Sequence, residues 1–228
     1  MKDLLRLLES ERETERRFVG EAESEPNHPT GWPAAFLICH TASWREQLRD
    51  RLVQLRDGIP ITPRPQDIDA FNASNLARDA GVPLAGAAER SDQALANLID
   101  IWEAMGERPF TWFTARTTGE ALIRNSYAHP RVHLAEHFIE RGDKARSYRI
   151  YEESAAELRK AEAPGHILGP ALYNLACGRV GQGRFDEALR LLEEALPTRA
   201  DMRAAAREDT DLAPLREDTR FQALLRDR

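Results

Sequence analysis

Cysteine is nearly absent: Cys39 and Cys177 are the only thiols in 228 residues. They lie far apart and outside any C-x-x-C pattern, which excludes a disulfide framework and points to a reducing, cytoplasmic compartment. Long apolar runs are missing as well. No stretch approaches the roughly 20 apolar residues that cross a bilayer. The opening MKDLLRLLESERETERRF is charged where a signal peptide is apolar, so a soluble protein without membrane partners is expected. There is no surplus of positive charge. Lys plus Arg number 32 against 38 Asp plus Glu, a net charge of -6 with the two signs interspersed, which argues against nucleic acid as a partner. Glycine-rich phosphate loops, the dinucleotide fingerprint, the serine-hydrolase elbow and H-E-x-x-H are all lacking.

What remains is helical pattern. Residues 2 to about 20 place Leu4, Leu5, Leu8 and Phe18 on one side, and EAESEPNHPTGWP ends that segment. From Ala34 to Arg56, Phe36, Leu37, Trp44, Leu48, Leu52 and Leu55 recur at helical spacing, with Pro33 before them and Asp57-Gly58 after. A proline-rich crossover with one short helix near Ile68 to Leu76 leads to a third long helix, Leu84 to Met105. GERPFTWFTARTTG breaks the pattern, and Thr117 or Thr118 caps a fourth helix. Arginines alternating with carboxylates, as in ERETERR and REQLRDRLVQLRD, read as solvated helix faces. A further helix, KARSYRIYEESAAELRKAE, ends at APGHILGP, which is the expected boundary between domains 1–163 and 164–228.

Three of the six histidines, His129, His133 and His137, fall within nine residues at four-residue spacing. Residues four apart on a helix have Cβ atoms about 5–6 Å apart, so two imidazoles there can close on one ion at about 2.0–2.1 Å. Pro130 either kinks this helix at His129, keeping His129 and His133 on one face, or splits it, leaving His133 and His137 as the better pair. A third ligand must come from another helix, where His40 sits near the apolar face. Imidazole suits zinc, nickel, iron or copper, and three such ligands leave open positions. Glu136, three residues after His133, can orient it or act as a base, although a solvent-facing carboxylate is commoner. Cys39 cannot pair with His40, because helix neighbours point about 100° apart. His28 and His166 read as incidental loop and linker residues.

LICHTASWREQL resembles the second-helix motif of the DinB/YfiT-like superfamily, and NSYAHPRVH resembles the N-T-Y-x-H-x-x-x-H stretch of its ClbS/DfsB-like branch. The resemblance spans roughly Met1 to Ala161 and implies a four-helix bundle with a long crossover. It also implies a divalent metal (zinc, nickel or iron) on His40, His129 and His133, with His137 second shell or a substitute ligand. LYNLACGRVGQGRFDEALRLLEEAL, Leu172 to Leu196, resembles a tetratricopeptide repeat, with Ala176, Gly183, Phe185, Ala188, Leu192 and Ala195 at its small and large positions and Arg179 at a usually apolar one. DLAPLREDTRFQALL then resembles a terminal capping helix. One repeat with a cap is too short to stand alone and is expected to stabilise or dimerise the bundle.

The expectation is therefore an all-α protein. Its resemblance implies a metal-dependent thiol transferase or hydrolase acting on a small electrophilic molecule, of detoxification or self-resistance type, with a low-molecular-weight thiol as a possible co-substrate. The competing expectation is a non-catalytic interaction protein or homodimer built on the repeat.

Overall fold

The computed structural model describes residues 3–22 and 31–226. The chain is almost entirely helical and divides into two compact units, Met1–Gly142 and Asp143–Arg228. That division lies between Gly142 and Asp143, upstream of the boundary after residue 163 that the Pro/Gly cluster suggests.

In the first unit four long helical segments share one core: α1 (Leu4–Ala22), α2 (Ala34–Asp57), α4 (Leu84–Met105) and a composite segment running from Thr118 to Glu140. Leu4, Leu7, Leu8 and Phe18 form the inner stripe of α1, whereas Leu5, expected on that side, is 40% exposed. Helix α2 ends at Gly58, whose φ of 69° lets the chain fold back so that Ile59 N–H reaches the Gln54 carbonyl at 3.0 Å. The crossover holds α3 (Ile68–Arg78), capped by Asp67, whose side chain accepts from Ala70 N at 2.8 Å. Arg51 anchors the start of this crossover by donating to the Pro63 carbonyl at 2.7 Å.

Two expectations are corrected by the first unit. The segment after α4 is a small antiparallel hairpin, β1 (Pro109–Trp112) and β2 (Ala115–Thr117), with Phe113 at its tip at φ 53°. Its alternating burial, Phe110 and Trp112 inward, is the period-two signal, cut too short to stand out from a loop. The charged faces of α1 and α2 are not wholly solvated either. Glu11, Glu15, Arg45 and Arg51 are buried, with Arg45 paired to Glu15 and Arg131 to Glu11 across sequence separations of 30 and 120 residues. Local helical spacing sees only partners three or four residues away, so pattern alone assigns these pairs to the surface.

The second unit contains α7 (Lys144–Lys160), α8 (Gly165–Gly181), α9 (Phe185–Ala195), α10 (Asp201–Glu208) and α11 (Thr219–Leu224), with short 3-10 turns before α10 and α11. Asp143 caps α7 by accepting from Arg146 N at 3.1 Å. Helices α8 and α9 make a tight hairpin turned at Gly183, φ 72°, with Ala176, Ala188, Leu192 and Ala195 buried between them. Phe185 departs from its expected packing role and is 41% exposed, while Arg179 is buried beside Glu152 and Glu187. The APGHILGP cluster is no linker: Pro164 precedes α8 and the glycines lie within its first turns, with Pro170 inside the helix. Gly169 is needed there because the Thr198 hydroxyl lies only 2.0 Å from where a Cβ would stand, and that hydroxyl is held by the Ala195 carbonyl. Gly169→Ala is therefore expected to destabilise this unit by about 1–3 kcal/mol through overpacking, read as a lowered urea midpoint.

Candidate metal centre

The composite fourth helix is shaped by one residue that cannot donate. Thr117 caps α5 (Thr118–Ile123) by accepting from Glu120 N at 3.3 Å. The next turn, Arg124–Ala128, is π-helical, and His129 N–H reaches back five residues to the Arg124 carbonyl. Helix α6 (His129–Glu140) then continues with Pro130 in its first turn. A proline ring clashes with the carbonyl four residues earlier, here that of Ser126, and widening the turn relieves the clash. The backbone stays in the right-handed helical region through Ile123, Arg124, Ala128 and His129, so the helix is wound wider rather than split.

This winding brings His129 and His133 to α2. His133 Nε2 lies 3.0 Å from His129 Nε2, and His40 Nε2 lies 3.3 Å from the same atom. All three ligating nitrogens fall within 4.8 Å of one another. Nitrogens bound at 2.0–2.1 Å around a tetrahedral or octahedral ion sit roughly 2.8–3.4 Å apart, so both separations suit a shared ion. The chemistry of the donors agrees. Glu136 Oε2 lies 2.9 Å from His133 Nδ1, and a carboxylate there selects the neutral tautomer with the proton on Nδ1 and the Nε2 lone pair facing inward. His129 Nε2 has a single in-plane position and cannot serve both neighbours with well-directed hydrogen bonds, whereas one cation satisfies three inward lone pairs.

The surroundings favour neutral rings. Burial, followed by the neighbouring His133, pushes His40 down to about 3. Burial also holds His129 well below its ordinary value, with His133, His40, Arg124 and Arg45 adding to the effect. Trp32 covers the group, its ring 4.8 Å from His40 and 5.4 Å from His133. A cleft of about 250 Å³ opens beside His133, lined by Trp32, Leu37, Glu136, His137 and Glu140.

Of the residues expected from sequence, His40, His129 and His133 come together, and Glu136 contacts His133. His137 does not join them: each four-residue step advances a helix stripe by about 40°, and its ring instead packs edge-on against Phe18 at 4.9 Å. His166 stands on the first turn of α8, and His28 lies outside the described residues. Cys39 is buried, and burial, then Asp79, raises its thiol pKa, in line with a packing role. Sequence reasoning misses Trp32, the π-helical turn and buried Arg45. The G-W-P triplet carries no signal beyond a helix break.

In the second unit Cys177, Asp209 and Asp211 also cluster. There Asp209 is already occupied, accepting from Tyr173 Oη at 2.7 Å and from Asp211 N at 2.9 Å. Burial and then Asp209 raise the Cys177 thiol, disfavouring the thiolate a metal requires. The histidine group is the stronger candidate.

No protein-family model matches the chain, and no curated protein or solved structure is significantly similar to it.

Proposed function

We propose that the first unit is a DinB-like metal-dependent catalyst acting on a small electrophilic molecule, as a thiol transferase or hydrolase. The observation that supports this reading is the convergence of three Nε2 atoms from two separate helices, with a cleft opening beside one of the rings, His133. His40, His129 and His133 would hold the ion, and Glu136 would fix the tautomer and orientation of His133. When bound, a divalent ion supplies Lewis acidity that lowers the pKa of a water or thiol at its open positions. Trp32 and Leu37 give the cleft an apolar wall, and its size, about 250 Å³, suits a small substrate. The four long helices and long crossover of this unit are consistent with the DinB-like bundle. The α8–α9 hairpin with its Gly183 turn is likewise consistent with a single tetratricopeptide-like repeat.

Metal analysis tests the proposal. The purified protein, stripped with chelator and reloaded, is expected to retain about one equivalent of zinc, nickel or iron after desalting. The His40→Ala/His133→Ala variant is expected to retain none. Retention of no metal by the parent protein, with stability unchanged in the variant, would instead favour a non-catalytic scaffold organised by the repeat-like hairpin.

A further inference from the structure

The buried arginine of α2 connects this centre to the distant α1 helix. Arg45 is 0% exposed, and its guanidinium grips both oxygens of Glu15, Nη2 to Oε1 at 2.6 Å and Nη1 to Oε2 at 2.9 Å. Nη1 also donates to Ser91 Oγ on α4 at 2.7 Å, and Ser91 Oγ donates to Glu15 Oε2 at 3.1 Å. Nη1 reaches the Ser91 carbonyl as well, at 3.3 Å, and the informative contact is on the other side: Nη2 donates to the backbone carbonyl of Ser126 at 3.3 Å. In a regular helix that carbonyl would accept from the amide of residue 130, which is proline and has no N–H.

We infer that Arg45 is a positioning residue for the His129 ligand: it donates to the Ser126 carbonyl, whose regular helical donor Pro130 removes, and thereby holds the widened turn that sets His129 opposite His40. A buried carbonyl left without a partner costs about 1–3 kcal/mol, enough to bias a helix towards another winding. Removing a π-helical insertion rotates the downstream part of a helix by about 100° relative to the upstream part, which would carry His129 off the α2 face. The ion pair with Glu15 and the bond to Ser91 fix the guanidinium from two other helices, so the carbonyl meets a donor that cannot drift. This inference rests on the metal-site reading, but it concerns the placement of His129 and can be read without metal.

Two variants test it. Arg45→Lys keeps the charge beside Glu15 but cannot also span to Ser126. Glu15→Gln/Arg45→Met removes the buried charges together and so avoids leaving one unpaired. Both are expected to unfold cooperatively, with at least a tenfold loss of cobalt(II) affinity and a shifted visible absorption band for the bound ion. In the metal-free proteins, the ring resonances of His129 are expected to move while those of His137 stay in place. If the parent protein binds no cobalt, the metal reading fails, and the His129 resonances alone decide the positioning role. Unchanged His129 resonances in both folded variants, or cobalt affinity and spectra equal to the parent's, would overturn it.

Discussion

Replacing Arg131 by alanine is expected to lower the stability of the first unit by about 3–5 kcal/mol, the range for breaking a buried ion pair from one side. Arg131 Nε donates to Glu11 Oε2 at 2.7 Å with both residues buried, and its other nitrogens donate to Tyr127 Oη at 2.9 Å and Ser10 Oγ at 2.9 Å. The guanidinium also lies over the Tyr127 ring, 4.2 Å from its centre. Truncation therefore strips donors from these acceptors and from Thr14 Oγ1 at once. Glu11 is held up by burial, which Arg131 only partly offsets, so without the arginine the carboxyl takes up a proton rather than remaining as an isolated anion. That proton uptake limits the loss. Replacing both partners, as Glu11→Leu/Arg131→Met, should recover most of it, because two desolvated charges leave together. Urea titration of the three proteins checks this. A single variant within about 1 kcal/mol of the parent would show that the pair contributes no more than a surface contact.

The second large effect is acid sensitivity of the metal-free protein. His40 and His129 both have folded pKa values below the unfolded one, His40 at about 3, and burial is the first cause in each case. Below an unfolded value near 6.5 the unfolded chain binds protons that the native rings refuse, so stability is present above that pH and is lost as the pH falls towards the folded values. The His40 ring contributes about 1.4 kcal/mol per pH unit in that window, so between pH 6 and pH 4 it alone should remove roughly 2.5 kcal/mol, and His129 adds a loss of the same sign. Carboxylates titrate over part of the same range. The comparison is therefore with His40→Gln, which should lose the His40 part of the slope and keep the His129 part when chelator-treated proteins are unfolded in urea at each pH. An identical slope in the variant would mean that His40 is protonated in the native state at little cost.

Much of the helical architecture is legible from pattern alone. The Leu84 to Met105 helix, the end of α2 at Gly58, the Thr117 cap and the Gly183 hairpin follow from periodicity and from residues with one dominant backbone use. The histidine spacing likewise points to His129 and His133, and the apolar setting of His40 points to the third ring. Features that depend on partners distant in sequence escape such reading. Glu15 and Arg45 look like any alternating charges until α1 and α2 are packed together. Pro130 announces a disturbance, but whether the helix kinks, splits or widens is settled by packing against other helices, where Arg45 meets the Ser126 carbonyl across a separation of 81 residues. The Pro/Gly run at 163–170 misleads for the opposite reason. Gly169 serves close packing on Thr198, Pro164 sits at the start of α8 and Pro170 within it, so most of these breaker residues lie inside an element.

His40 and His129 stand 89 positions apart, whereas His129 and His133 are one turn apart. An unfolded or half-assembled chain can thus offer at most the local pair, and the third nitrogen arrives only when α2 has docked. The trio is consequently a gauge of tertiary assembly as well as a chemical group: a probe that needs three imidazoles reports the closed bundle, and one that needs two reports only a helix.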